Sequence, residues 1–247
     1  MRNTPKGYKR FIAIGCSHGS LVDRKAFDTV MRFSRGFKPH TKIHLGDICD
    51  YAAFRGGARG TKDEAEALGP DIRAGAELIR EFSPTDVLIG NHDVRVWNLS
   101  NHPNALISLA ASTCRQEFLT ACEKAKVKRL IDHYDINRSW IQFGDTKFLH
   151  GFMYGENAIR DHAEHFGRCV IAHLHQPGSV QGRRSDRPTA HCVGTLANIP
   201  SLYYAATRRS TARWAHGFAY GEYNDHECHV WISQSNENKE GSWPLPL

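Results

Sequence analysis

Five short polar clusters, each placed where a run of β-forming apolar residues ends, constrain the fold of this chain more than any other feature. The apolar runs span 11–15, 42–45, 86–89, 146–150 and 169–172. The polar clusters span 15–19, 46–50, 90–93, 150–151 and 173–175. In open α/β sheets, ligands bind beyond the carboxyl ends of the strands, so loops of this kind can converge on one site.

Helical segments separate the strands. Apolar residues recur at helical spacing over 20–35, 62–82 and 104–130, and further strand candidates lie at 140–143, 190–193, 214–222 and 228–233. The alternation predicts an α/β fold with partly parallel strands. We expect one domain over residues 1–247, built from two stacked sheets flanked by helices. Two long segments between predicted strands, 50–82 and 94–135, could cover the site at the strand ends. We call these two segments the excursions.

The composition excludes several classes of protein. Apolar residues make up 40% and charged residues 23% of the 247 positions, which is ordinary globular usage and not that of a disordered or fibrous chain. No apolar run approaches the ~18 residues of a membrane helix, and no signal-peptide pattern opens the sequence. We therefore expect a cytoplasmic protein without a membrane partner. Seven scattered cysteines without a CxxC pair predict reduced thiols.

The polar clusters together carry the donors of a metal site. They offer imidazoles, carboxylates, an amide and a thiol, a set that suits zinc, iron or manganese. His173 and His175, two positions apart at a strand end, would present two ligands on the same side. The net charge of +6 favours a phosphate-bearing partner.

The order and spacing of the clusters resemble the calcineurin-like metallophosphoesterase family. The motifs of that family are D-x-H, G-D-x-x-D, G-N-H-D/E, a lone H and G-H-x-H, and matching residues run from 16 to 175, about two thirds of the chain. The resemblance implies a four-layer αββα sandwich of two mixed sheets, with the metal site at the carboxyl ends of the strands. It also implies an enzyme that hydrolyses a phosphate ester with two metal ions, manganese, zinc or iron, as cofactors.

The same resemblance assigns roles to individual residues. The implied metal ligands are Cys16, His18, Asp47, Asn91, His150, His173 and His175. Asp47 would bridge the two metals. Cys16, His18 and His175 would complete the first metal site, and Asn91, His150 and His173 would complete the second. A metal-bound hydroxide would be the nucleophile, His92 would assist as the acid, and Asp93 would orient the His92 imidazole.

Cys16 departs from the family pattern, which has aspartate at this position. A thiolate can still bind a metal and would shift the preference toward zinc or iron, or the first metal site is weakened. A weakened site would leave a module that binds phosphate or nucleic acid without turning it over. In the fifth cluster Ala172 replaces the usual glycine, a change of small volume.

A serine hydrolase is the rival interpretation of residues 15–19. They read G-x-S-x-G, the nucleophile elbow, with Ser17 as the nucleophile. Only fourteen residues precede this motif, whereas such an enzyme needs strands and an oxyanion loop before it.

The substrate is indicated by basic and aromatic residues. Arg183 and Arg184 are candidates for binding substrate because guanidinium groups suit phosphate oxygens, although a solvated basic loop explains them equally well. The aromatic residues that could stack on a base, or only pack, are Trp97, Tyr154, Tyr203 and Tyr204. The sequence favours a phosphodiester of a nucleotide or nucleic acid, with a phosphomonoester as the alternative.

Overall fold

The computed structural model describes residues 5–65, 67–202 and 209–235, together with Trp243 and Leu245. The strands are β1 (Lys9–Ile14), β2 (Thr41–His44), β3 (Asp86–Leu88), β4 (Arg129–Ile131), β5 (Trp140–Phe143), β6 (Thr146–Leu149), β7 (Cys169–Ile171), β8 (Pro177–Gln181), β9 (Thr189–Val193), β10 (Gly217–Tyr223) and β11 (Cys228–Gln234). The helices are α1 (Arg24–Phe37), α2 (Leu68–Phe82), α3 (Val94–Leu99), α4 (Ala105–Lys124) and α5 (Ala158–Phe166).

The strands form two mixed sheets. The first has the order β11-β10-β1-β2-β3-β4, in which β1 to β4 are parallel and the two C-terminal strands are antiparallel. The second has the order β5-β6-β7-β9-β8, with a parallel centre of β6, β7 and β9 and an antiparallel strand at each edge.

The two sheets pack face to face because their central strands are apolar on both sides. In β1, Phe11 and Ala13 belong to the cluster between the sheets, whereas Ile12 and Ile14 pack against the helices. The ring of Phe11 meets that of Phe148 from the second sheet edge to face, with centroids 5.1 Å apart. Such two-sided burial is typical of parallel strands covered by other layers.

Helices cover both outer faces. On the first sheet, Phe27 of α1 and Leu78 of α2 pack near Ile12, and α3 and α4 extend the same layer. On the second sheet, Ala163 of α5 packs against Ile171. The αββα sandwich that the resemblance implies is therefore the observed fold.

The elements differ from the predicted ones mainly at helix starts. The helix predicted from residue 20 begins at Arg24, because Asp23 caps it by accepting a hydrogen bond from the Ala26 N–H and a short 3₁₀ turn precedes it. The helix predicted over 104–130 ends at Lys124, and Leu130 lies in β4. The sequence patterns do not predict α3, β4, α5 or β8.

The two excursions belong largely to the helical layer. Segment 50–82 contains α2, and segment 94–135 contains α3, α4 and β4. None of the helices in the part of the chain that the structure describes has the length and continuous apolar character of a bilayer-spanning segment.

Candidate metal centre

All seven residues implied as metal ligands meet at one edge of the sandwich. They follow β1, β2 and β3, which are parallel neighbours in the first sheet, and β6 and β7, which are parallel neighbours in the second. Two groups of donors result, one of Cys16, His18, Asp47 and His175 and one of Asp47, His150 and His173. Within each group the ligand atoms all lie within 4.8 Å of one another, and Asp47 belongs to both.

In the first group, two imidazole nitrogens point at each other. His18 Nε2 lies 3.1 Å from His175 Nε2. His18 Nδ1 lies 2.8 Å from the Asp50 carboxylate, which accepts a hydrogen bond from Nδ1–H, so that Nε2 of the neutral imidazole carries the lone pair. A carboxylate behind the second nitrogen is the usual support of a metal-binding histidine.

The second group brings His150 and His173 against Asp47 and Asn91. His150 Nδ1 donates to the Leu45 carbonyl at 2.8 Å, which turns Nε2 toward the centre. Burial lowers the pKa of His150, but the adjacent Asp47 carboxylate outweighs it and raises that pKa. That Nε2 faces the Asp47 carboxylate at 3.2 Å and the side-chain oxygen of Asn91 at 3.1 Å. The same Asn91 oxygen lies 2.8 Å from His173 Nδ1.

These contacts fit bound cations. Facing lone pairs repel unless a proton or a metal ion lies between them, and tetrahedral zinc at ~2.0 to 2.1 Å from nitrogen brings neighbouring ligand nitrogens to about 3.3 Å. Among the described residues, His173 Nε2 and His175 Nδ1 are buried without a hydrogen-bond partner. The arrangement therefore could hold a metal ion in each group, with Asp47 shared.

Backbone strain is concentrated at the same residues. Five of the ten non-glycine residues with positive φ in the described chain are implied ligands: Cys16 (52°), His18 (51°), Asp47 (53°), His173 (62°) and His175 (58°). Such conformations cost ~1 to 3 kcal/mol each and persist where the surrounding structure requires them, most often at functional sites.

The electrostatics of the centre follow from burial and proximity. Burial lowers the pKa of His173 to about 3 and that of His175 well below its usual value, so both imidazoles are neutral. Burial disfavours the Asp47 carboxylate, but His150 and His92 outweigh it and hold the Asp47 pKa well below its ordinary value. Burial and Asp47 raise the pKa of the Cys16 thiol, which a bound metal would lower again.

Cys16 and Ala172, the two departures from the family pattern, are in contact with the centre. The Cys16 Sγ atom is fully buried and accepts a hydrogen bond from the His173 N–H at 3.2 Å. Ala172 fits because its neighbour is Gly15: a Cβ atom at position 15 would lie 2.6 Å from the Ala172 methyl group.

Asp93 does not orient His92, contrary to the role implied by the resemblance. Its carboxylate accepts hydrogen bonds from the backbone N–H groups of Ile48, Cys49 and Gly90 at 3.1, 3.2 and 2.9 Å. The orienting carboxylate is Asp50, which lies 2.9 Å from His92 Nδ1. The second aspartate of G-D-x-x-D was the sequence signal for this residue, to which the sequence interpretation assigned no role.

A cleft of about 350 Å³ opens over the donor groups. Its lining residues are Asp47, Arg55, Asn91, His92, Arg95, Tyr154, Gly155, His173, Leu174, His175, Gln176 and Trp214. Each excursion contributes one arginine. Arg95 donates to the Asp50 carbonyl at 2.8 Å, and Arg55 is paired with Asp63. Neither was identified from the sequence, where no motif links them to the cluster residues.

Arg183 and Arg184, the predicted substrate-binding residues, lie at the other end of β8 from His175. The five residues of β8, or about 17 Å at ~3.4 Å per residue, separate them from the cleft. Arg184 instead donates to the Glu164 carbonyl at 3.1 Å and pairs with Asp186 at 2.9 Å. Neither arginine lines the cleft, and their role in substrate binding stays a prediction.

Among the predicted stacking residues, Tyr154 lines the cleft and Trp97 does not. Trp97 packs in the core against Phe118, with ring centroids 5.4 Å apart. Tyr203 and Tyr204 lie outside the described residues.

The serine-hydrolase interpretation fails on hydrogen-bond direction. Ser17 is fully buried, with its Oγ 3.1 Å from His44 Nε2. His44 Nδ1 accepts from the Gly46 N–H at 3.2 Å, so Nε2 carries the proton and cannot take one from serine. Burial also lowers the pKa of His44 to about 3.

Comparisons with known proteins give distant relatives, and no family model matches the chain. The chain is 28% identical over 232 residues to the Gene 54 protein of Mycobacterium phage L5, covering 85% of this chain and 88% of the relative. It is 27% identical over 231 residues to the Gene 54 protein of Mycobacterium phage D29, with coverages of 85% and 87%.

Solved structures were also compared. Chaetomium thermophilum Vps29 has a TM-score of 0.46 at 12% identity, with 95% of this chain and 91% of that chain covered. The E. coli phosphoesterase Yfce has a TM-score of 0.35 at 15% identity, with coverages of 86% and 87%.

Proposed function

We propose that this protein is a metal-dependent phosphoesterase that hydrolyses phosphodiesters. The observation that carries the proposal is the pair of donor groups that share Asp47 at the floor of one cleft. When bound there, two metal ions would supply Lewis-acid stabilisation of the phosphate oxygens and lower the pKa of an attacking water.

His92 is the proposed acid. Its side chain lines the cleft and is 9% exposed, and its Nδ1 is held by Asp50. When both ring nitrogens of His92 are protonated, Nδ1–H donates a hydrogen bond to the Asp50 carboxylate. Nε2–H then donates to the leaving oxygen of the ester. The proton then moves from Nε2 to that oxygen as the ester bond breaks. Asp50 thereby positions His92. It also positions His18, whose Nδ1 contacts the same carboxylate.

Arg95 and Arg55 are the proposed phosphate-binding residues in the cleft wall. The Arg95 guanidinium is anchored at one nitrogen by the Asp50 carbonyl, which fixes its direction. Guanidinium groups bind phosphate oxygens through paired N–H donors, so they would neutralise charge on the substrate and orient it.

A diester is favoured over a monoester by the size of the cleft. The cleft has room for organic groups on both sides of a phosphate. We therefore include phosphomonoesters in the test as the competing substrate class.

The test uses chelator-stripped protein with manganese, zinc, iron or magnesium added back singly. Hydrolysis of bis-p-nitrophenyl phosphate and p-nitrophenyl phosphate is measured together with metal content per chain. Wild type is expected to bind about two metal equivalents and to prefer the diester. Asp47→Ala should lose metal and activity together, whereas His92→Asn should keep the metal and lose ~10²-fold or more in kcat.

Two outcomes would overturn the proposal. Unchanged turnover in Asp47→Ala would remove the metal centre from the reaction. Metal bound at full occupancy with neither ester hydrolysed would identify a binding module in place of an enzyme.

A further inference from the structure

Two aromatic side chains in the cleft are not accounted for by metal binding. The Tyr154 ring lies 4.5 Å from the His173 ring and the Trp214 ring lies 4.4 Å from the His175 ring, centroid to centroid. The two aromatic rings therefore lie against two different imidazoles of the centre and line the same cleft.

The Tyr154 side chain is largely exposed to solvent and contributes little to the packed core. It is 71% exposed, and the other large exposed apolar side chains of the described chain, Leu106, Leu109 and Trp231, do not line the cleft. An exposed aromatic ring gains little from folding, whereas it gains contact area when a flat ligand covers it.

The segments that carry the two rings are joined at the rim of the cleft. Arg213, next to Trp214, pairs with Glu156, two residues after Tyr154, at 3.3 Å. Both partners of this ion pair are exposed, so it adds little stability. Its short distance shows that the two aromatic-bearing segments lie side by side.

The rest of the cleft is polar and cationic. Arg55 and Arg95 suit an anion, and Gln176 offers both a donor and an acceptor at the edge of a flat ring. A ligand that matches this lining carries a phosphate over the donor groups and a flat, polar-edged ring beside it. A nucleoside joined to the phosphate has both parts.

We infer that Tyr154 and Trp214 form a stacking platform for the base of a nucleoside phosphodiester. The inference rests on the proposed phosphoesterase activity and names the substrate class of the same site. Stacking on an aromatic side chain tolerates every base, so the platform selects for a nucleoside without selecting a sequence.

The test compares two esters that share one leaving group. Thymidine 5′-(p-nitrophenyl phosphate) carries a nucleoside, and ethyl p-nitrophenyl phosphate carries none. The variants are Tyr154→Leu, Tyr154→Phe and Trp214→Leu, with Trp231→Leu as the matched control because Trp231 is an exposed aromatic residue outside the cleft. Quenching of tryptophan fluorescence by thymidine 5′-monophosphate gives a binding readout that is independent of turnover.

Wild type is expected to favour the thymidine ester in kcat/KM by about tenfold or more, a preference that stacking on one or two rings can supply. Tyr154→Leu and Trp214→Leu should lose most of this preference, measured within each variant as the ratio of kcat/KM for the two esters. Tyr154→Phe and Trp231→Leu should retain it. Quenching by the nucleotide should disappear in Trp214→Leu and persist in Trp231→Leu.

Failure of the inference and failure of the proposed activity give different results. If both esters are hydrolysed equally well and Tyr154→Leu changes neither rate, the platform is refuted while the phosphoesterase stands. If neither ester is hydrolysed and no quenching occurs, both are refuted. Competition by a short single-stranded DNA against the mononucleotide then identifies whether the nucleoside comes from a polymer or a free nucleotide.

Discussion

The sulfur of Cys16 occupies a position where its environment leaves little freedom to move. The Cys16 carbonyl accepts hydrogen bonds from Thr195 Oγ1 at 2.8 Å and from the Leu196 N–H at 3.1 Å, and the sulfur itself accepts from the His173 N–H. A thiolate fixed in this way is a soft ligand, and zinc accepts it at ~2.3 Å, whereas magnesium prefers oxygen.

We therefore expect Cys16→Asp to change which metal binds. The zinc-to-manganese affinity ratio should fall by about tenfold or more, because a hard carboxylate replaces a soft thiolate. Metal titration of stripped protein measures the ratio. In cobalt-loaded protein, a thiolate-to-cobalt charge-transfer band should be present in wild type and lost in Cys16→Asp.

Cys169→Ala is the control, since Cys169 is equally buried but packs against α5 away from the donor groups. It should keep the band and the metal preference. A wild-type protein fully loaded with cobalt that lacks the band would show that the sulfur is not a ligand and would favour the weakened first site.

At the residue scale, the sequence predicts which residues meet but not every contact they make. Each implied ligand lies in a short motif at a strand end, and the resemblance to the family identifies it. The choice between Asp50 and Asp93 as the partner of His92 depends on backbone angles, which no spacing encodes. Arg183 follows the last motif closely along the chain, but the direction of β8 takes it away from the cleft, and spacing does not encode that direction.

At the scale of elements, the polar residues at helix starts hold the site loops in place. Asp71, in the first turn of α2, is buried, and its carboxylate accepts hydrogen bonds from the backbone N–H groups of Ser20, Asp50 and Tyr51 at 3.2, 3.1 and 2.8 Å. These donors belong to the loops after β1 and β2. One side chain thus fastens two loops of the centre to one helix.

Asp71→Ala should destabilise the protein by about 2 to 4 kcal/mol, because three backbone donors lose a buried acceptor. Urea unfolding followed by circular dichroism measures the loss. Asp28→Ala on α1 is the matched control, since the Asp28 side chain is 68% exposed, and it should stay within about 0.5 kcal/mol of wild type. Equal stability of the two variants would remove Asp71 from the support of these loops.

The elements that the sequence predicted correctly are those with a strong periodic pattern. β1, β2 and β3 are short apolar runs closed by polar residues, and their positions were right to within two residues. β8 was missed because Pro177 and Gly178 disfavour strands, and a proline is tolerated there because β8 is an edge strand. Three-dimensional context, not local preference, makes this segment a strand.

At the scale of the whole molecule, the donor groups connect the two sheets. Cys16, His18 and Asp47 follow strands of the first sheet, whereas His150 and His175 follow strands of the second. Between the sheets, the apolar cluster around Phe11 and Phe148 holds the layers together. The position of the polar clusters at strand ends predicted that the loops could converge on one site, whereas the division of the ligands between two metals came from the resemblance.

Metal binding should therefore stabilise the entire fold. A ligand that binds only the folded state at about 100 times its Kd adds ~2.7 kcal/mol, which for a chain of this size raises Tm by about 5 to 10 °C. Differential scanning calorimetry of stripped protein, with and without zinc or manganese, measures the shift, and a chelator should reverse it. Tyr154→Leu, which keeps every donor, should show the full shift, and Asp47→Asn, which weakens the ligand shared by both groups, should lose most of it. A Tm shift of equal size in Asp47→Asn would mean that the metal binds and stabilises the protein at a different site. The claim that metal bound at these donor groups links the two sheets would then be refuted.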